Sequence, residues 1–192
     1  MFRTSFDDRP LGRAMVTAFA ERVPEGAGPV ADLGCGGGQV TAFLRGLGLP
    51  AVGLDLSPGM VAAARRAFPG LPFGIGSLTA LPVAGGALAG AVAWYSLIHV
   101  LPAAVPDALG ELRRALAPGA PLLLGFQVGD GVPPLHVAEV FGRRVGLDFH
   151  RMAPERVSAQ LAGAGFEVRA LLVAEPDEGE KVPQAHLLAR RT

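Results

Sequence analysis

The sequence predicts a doubly wound α/β fold in three layers, with a mostly parallel sheet between helices. Three observations lead there. Short apolar runs alternate with segments of helical period along the whole chain. Several of those runs are apolar throughout rather than alternating, as strands covered on both faces are. The first run also ends in a glycine cluster that opens directly into a helical segment, the arrangement that places ligands at the carboxyl end of a parallel sheet. At 192 residues, half of them apolar, the chain is the size of one domain with a substantial core.

The elements follow in order. Leu11, Met15, Ala18 and Phe19 recur at helical spacing after Pro10, predicting a helix over about 10–23. Residues 29–33 form a short apolar strand. Val40, Phe43, Leu44 and Leu47 mark a second helix, and residues 51–55 a second strand. Ser57 and Pro58 then supply a cap and a first helical residue, with Met60, Val61, Ala64 and Phe68 as the buried face of the helix. Residues 73–76 are a weak third strand and 91–96 a fourth.

The stretch 83–101 is apolar enough to pass for a membrane span. Gly85, Gly86 and Gly90 interrupt it, and Pro82, Pro102 and Pro106 bracket it, so it reads as loop, buried strand, loop. Leu109, Leu112 and Leu116 mark a helix that stops at Pro118-Gly119, before a fifth strand over 121–127. Residues 129–152 read as irregular, and Phe126, Val137, Val140, Phe141 and Phe149 read equally as the apolar wall of a small-molecule pocket or as a helical core. Val157, Leu161 and Ala164 make a last helix, and 166–173 and 185–189 are closing strands.

Composition narrows the function. Seventeen basic residues balance 17 acidic ones, so no cationic surplus exists to displace counterions from nucleic acid, nor a polybasic membrane anchor. Cys35 is the single cysteine and closes no internal disulfide. Asp7 and Asp8 stand where a signal peptide would begin its apolar run, so a cytoplasmic location is expected. The balanced charge and high apolar content make a homodimer the plausible assembly.

The loop Asp32-Leu33-Gly34-Cys35-Gly36-Gly37-Gly38 carries the chemistry. Gly34, Gly36 and Gly38 give G-x-G-x-G, whereas the dinucleotide pattern G-x-G-x-x-G would need glycine where Gln39 stands. Asp55 closes the next strand, where a carboxylate can accept both hydroxyls of a ribose. A nicotinamide-dependent oxidoreductase is the competing reading. Against it, the sole tyrosine and lysine, Tyr95 and Lys181, form no Tyr-x-x-x-Lys pair.

Residues 30–38 (VADLGCGGG), followed by 53–60 (GLDLSPGM), resemble the class I S-adenosylmethionine (SAM)-dependent methyltransferases, most nearly the small-molecule enzymes related to the ubiquinone and menaquinone methyltransferases. The likeness extends to the adenine loop at 76–82, the Pro-Gly turn before the fifth strand and the AGAGFEV turn at 162–168. It implies a Rossmann-like seven-stranded sheet with an antiparallel final strand, in one methyltransferase domain over 1–192. It implies SAM as cofactor and S-adenosylhomocysteine as product. By the same resemblance Asp32, Gly34, Cys35 and Gly36 shape the methionine end. Asp55 takes the ribose, Leu56 and Met60 pack on adenine, Ser77 and Leu78 meet its edge, and Tyr95 lines the floor near the methyl group.

Two departures stand out. Ser77 occupies the place of an acidic residue in the adenine loop, and only about nine residues precede the first helix. Together they leave a cofactor-binding subunit without catalysis of its own as a further alternative.

Transfer from an activated methyl group depends mainly on positioning, and a base is needed only where the acceptor keeps its proton. His99, just past the fourth strand, is the candidate. Residues 129–152 lie where this fold places a substrate cover, and His136, His150 and Arg151 are the candidate contacts to a small organic acceptor. Asp148 and His150 alternate as metal ligands can, but that spacing is common by chance, and no metal is assigned. His186 reads as an ordinary strand residue.

Overall fold

The computed structural model describes residue 6 and residues 10–140, 143–177 and 180–192. Five helices alternate with strands: α1 (Pro10–Ala20), β1 (Val30–Leu33), α2 (Gln39–Gly46), β2 (Ala51–Asp55), α3 (Pro58–Ala67), β3 (Phe73–Ile75) and β4 (Gly90–Trp94). Then come α4 (Val105–Ala115), β5 (Pro121–Gln127), β6 (Leu135–Val140), β7 (Arg143–Phe149), α5 (Pro154–Gly163), β8 (Phe166–Ala174) and β9 (Gln184–Arg191). Seven strands form one sheet in the order β3-β2-β1-β4-β5-β9-β8. β1 to β5 run parallel, while β9 lies antiparallel between β5 and β8. The order reverses between β1 and β4, so the crevice above their carboxyl ends is the ligand position of such a sheet.

The continuous apolar runs have a physical cause. Successive strand residues point to opposite faces, and both faces are covered. Leu122, Leu124, Ala91 and Ala93 pack with Leu109 and Leu112 of α4 and Leu161 of α5. Leu123 and Val92, their immediate neighbours, pack with Val16 and Phe19 of α1 and Leu44 of α2. Each fully buried leucine or phenylalanine contributes about 1.5–3 kcal/mol relative to exposure. The membrane-like stretch is therefore a core strand. Among the described residues no helix is long and apolar enough to cross a membrane.

Two expectations change. Residues 129–152 are not irregular throughout and, among the described residues, carry no helix: β6 and β7 form a separate antiparallel pair, with Leu135 opposite Phe149 and His136 opposite Asp148. The apolar residues there alternate with polar ones at period two, a pattern broken by a register shift between Val137 and Glu139. Phe141 lies outside the described residues. In α3, Val61 and Ala64 are buried, whereas Met60 is 42% exposed, on the turn that faces the crevice.

Candidate functional site

The glycine loop leaves β1 in a conformation that ordinary residues avoid, with φ of 71° at Gly34, 52° at Gly36 and 88° at Gly38. The N–H groups of Gly34 and Cys35 both donate to the Leu54 carbonyl, at 2.7 and 3.0 Å, tying the loop to β2. At Gly34 a side chain has no room: its Cβ would stand 2.2 Å from the Cβ of Ser96. At Gly36 the space is open, and the nearest atom is the Met60 methyl at 3.5 Å.

Asp55 organises the crevice. Its Oδ2 accepts from the Gly36 N–H at 2.8 Å and its Oδ1 from the Ser57 N–H at 2.8 Å, joining the glycine loop to the start of α3. Ser57 in turn caps that helix, its Oγ accepting from the Met60 N–H at 3.3 Å. Each carboxylate oxygen keeps a lone pair for a ligand.

Around Asp55 stand three large apolar side chains that the fold leaves in the open, Leu56 (69% exposed), Ile75 (55%) and Met60. Ile75 was not singled out in the sequence because it reads there only as the end of a weak strand. Ser77 is turned inward on its own loop. Its Oγ lies 2.9 Å from the Thr79 hydroxyl and accepts from the Thr79 N–H at 3.2 Å. Leu78 packs against the main core.

Asp32 is fully enclosed, 1% exposed, and does not open on the crevice. Its Oδ2 accepts from the Thr41 hydroxyl at 2.6 Å, which fixes the first turn of α2 behind the glycine loop. Burial pushes its carboxyl up to about 7, against the hydrogen bonds from Thr41, which act to lower it. Thr41 carries no local signal in the sequence, since its partner lies across the loop. Cys35 is buried, and burial, with Asp32 and Asp55 nearby, pushes its thiol far above the ordinary range, which disfavours the thiolate.

Past β4, Tyr95 adopts φ of 52°, the single positive value among described non-glycine residues. Its N–H donates to the Gly125 carbonyl at 2.9 Å. His186 lies in β9, as expected. It is buried and stacked on Trp94 at 4.8 Å, with Tyr95 edge-on at 6.3 Å. Ser96, also missed, is buried beneath Gly34, and its Oγ has no hydrogen-bond partner among the described residues.

His99 ends the short turn Leu97–His99, half-buried. Its Nδ1 lies 2.9 Å from the Asp148 carbonyl, and the edge of the Phe149 ring closes over it at 4.5 Å. Burial lowers its pKa; the Asp148 carbonyl and Asp55 oppose the shift, and His150 adds to it.

The hairpin is joined to the same turn by the His150 N–H, which donates to the Ile98 carbonyl at 2.8 Å. The structure thus brings His150 beside His99. His136 instead lies exposed, its Nδ1–H donating to Asp148 Oδ1 at 2.7 Å. Arg151 rests against Gly129 at the base of the hairpin, where a Cβ on Gly129 would meet it at 2.8 Å. No group of three or more metal-ligating side chains occurs among the described residues.

Residues 30–119 match a family model described as a methyltransferase domain. The demethylmenaquinone methyltransferase of Beutenbergia cavernae is 36% identical over 117 residues, which cover 61% of this chain and 47% of that protein. The trans-aconitate 2-methyltransferase of Methylobacterium nodulans is 40% identical over 117 residues, 58% of this chain and 42% of that one. The chain spans less than half the length of these relatives. A solved SAM-dependent methyltransferase from Methanosarcina mazei superposes with a TM-score of 0.75 at 20% identity, covering 89% of this chain and 95% of that one, a likeness of fold. Residues 30–119, just under half of the chain, are thus similar to a methyltransferase domain, and the sheet around them has the fold of the solved Methanosarcina mazei protein.

Proposed function

We propose that this chain binds SAM in the crevice above β1 and β2 and transfers its methyl group to a small organic acceptor. The observation that carries this reading is Asp55, which ties the glycine loop to α3 with lone pairs to spare, beside three exposed apolar side chains. The residues fit the group. Gly36 leaves open space where a Cβ would stand, Leu56, Met60 and Ile75 offer apolar surface to a purine, and Asp55 can accept from a ribose diol. When bound, the cofactor supplies a methyl group already activated by the sulfonium.

The protein's part is to bind, orient and exclude water. Asp32 acts from behind, through Thr41, by fixing the helix that follows the loop. Tyr95 presents its strained backbone toward the same space. Ser77, held by Thr79, contributes less at the adenine edge than an acid would, and Leu78 acts as support. The hairpin of residues 129–152 is the cover of a single methyltransferase domain, with His150 and Arg151 nearest the acceptor and His136 holding the hairpin from outside. A cytoplasmic location and a homodimer fit the same reading. The two curated relatives act, by name, on different acceptors, so the acceptor must be sought in this site's own residues.

Calorimetric titration with S-adenosylhomocysteine, with NAD in parallel, tests the proposal. Saturable binding of the former alone is expected. Asp55→Ala should weaken it by about 100-fold or more, since two hydrogen bonds to a charged group contribute about 1.5–3 kcal/mol each. Binding of NAD in its place would overturn the assignment.

A further inference from the structure

We propose that a second cleft, at the end of the sheet opposite the cofactor crevice, binds a phosphate group through Arg113 and Arg191. This stands independently of the methyltransferase reading. The cleft forms where β4 and β5 begin and β9, running the other way, ends. It encloses about 770 Å³, solvent at its mouth included, and is lined by Gly86, Gly110, Arg113, Arg114, Pro118 and Arg191. A Cβ at Gly86 or Gly110 would meet nothing within 4 Å, so the walls are low. Arg113 is exposed and Arg191 half-buried.

Local structure brings the two arginines together. Arg113 lies in the last turn of α4, and its side chain crosses Gly165, filling the space a Cβ there would take. The Gly165 carbonyl accepts at 3.1 Å from the N–H of Thr192, the residue after Arg191, so α4 and the end of β9 meet at this turn. Arg191 in turn donates from Nη1 to the Leu116 carbonyl just past α4.

Arginines at a helix C-terminus ordinarily answer its unpaired carbonyls. Here those carbonyls are already met. That of Arg114 accepts from the Gly86 N–H at 2.8 Å, that of Ala115 from the Leu88 N–H at 3.0 Å, and that of Leu116 from Arg191. The nearby acids are used as well. Glu111 accepts from Nε and Nη2 of Arg114, each at 2.7 Å, and from the Leu81 N–H at 2.7 Å. Glu167 is held by Arg169 and Arg190. Arg113 and Arg191 are therefore cations with no ion pair among the described residues, and the buried Nε of Arg191 has no hydrogen-bond partner there. A buried donor left unmet is costly, and adjacent like charges repel. A phosphate dianion answers both, since guanidinium N–H groups match its oxygens and its charge balances two arginines, where a carboxylate would balance one. Two such cations suit a single phosphate and not the row along a nucleic acid.

The test is an amide NMR titration of the full chain with sodium phosphate and, separately, with glycerol 3-phosphate, against sodium chloride at matched ionic strength. Saturable shifts at Gly86, Gly110 and Gly119 are expected with phosphate or its ester and not with chloride. The tighter ligand names the source, free phosphate or a phosphate ester. Arg113→Gln should weaken binding about tenfold, the loss of one charge-assisted partner. Arg45→Gln makes the same charge change at an exposed position of α2 and should bind as the wild type does. Arg191→Gln should weaken binding similarly; if it does not fold, because Leu116 loses its partner, Arg113→Gln still decides. Shifts that never saturate, that chloride reproduces, that centre on the glycine loop at 34–38, or that Arg113→Gln leaves unchanged overturn the proposal.

Discussion

Replacing Asp32 by asparagine should change how the stability of this protein depends on pH. Folding encloses the carboxyl and raises it from an ordinary 3.8 to about 7, chiefly by desolvation. The folded chain therefore holds this proton more tightly than the unfolded chain. The stability linked to it is complete below the unfolded value and is lost as pH rises through the folded one. A shift of about 3 units corresponds to about 4 kcal/mol over the full range, of which about 2 to 3 kcal/mol falls between pH 5 and pH 8.

Asparagine mimics the protonated carboxyl in shape and can still accept from Thr41, so its own contribution does not change with pH. Urea denaturation of both proteins at pH 5, 6.5 and 8 measures the difference. Asp32→Asn should gain on the wild type by about 2 to 3 kcal/mol from pH 5 to pH 8. S-adenosylhomocysteine affinity should barely change, because the side chain faces α2 and not the crevice. Parallel stability curves would refute the idea that the buried carboxyl is close to neutral, and a large loss of affinity would refute its place behind the loop.

Four substitutions at two glycines and a tyrosine separate packing from ligand space. Gly34→Ala drives a methyl group into Ser96, with 2.2 Å between the two Cβ positions, and should cost several kcal/mol in thermal or chemical denaturation (about 1–3 from overpacking plus about 1–2 from the left-handed backbone). Gly36→Ala meets only the Met60 methyl at 3.5 Å, so it should lose about 1–2 kcal/mol of stability yet weaken S-adenosylhomocysteine binding more than that loss suggests. At residue 95, Tyr95→Gly should be more stable than Tyr95→Ala by about 1 kcal/mol, the reverse of the usual order, because both lack the ring and only glycine accepts φ of 52° freely. An alanine variant as stable as the glycine one would mean that this backbone is unstrained.

What was legible in the sequence was what local pattern controls. Strand β2 was read at 51–55 and β5 at 121–127, both bounded by loops, and the Ser57-Pro58 start of α3 was a cap with a chemical signature. The hairpin was not legible: its two short strands pair only with each other, and a register shift breaks their period-two alternation. For a related reason the helical period places Met60 on the buried face of α3, whereas it is 42% exposed. Periodicity marks a helix face as apolar but does not say whether the core or an open crevice lies opposite. The misses at the site share a cause as well. Thr41 serves Asp32 and Ser96 serves Gly34 across the fold, and Asp148 orients His99 through its backbone carbonyl, a group every residue has. No residue-type pattern could have found that last contact. A sequence motif therefore locates the cofactor end of this site, where glycines and an acid are required by type. Which carbonyl the hairpin lays against His99 is decided by tertiary structure alone.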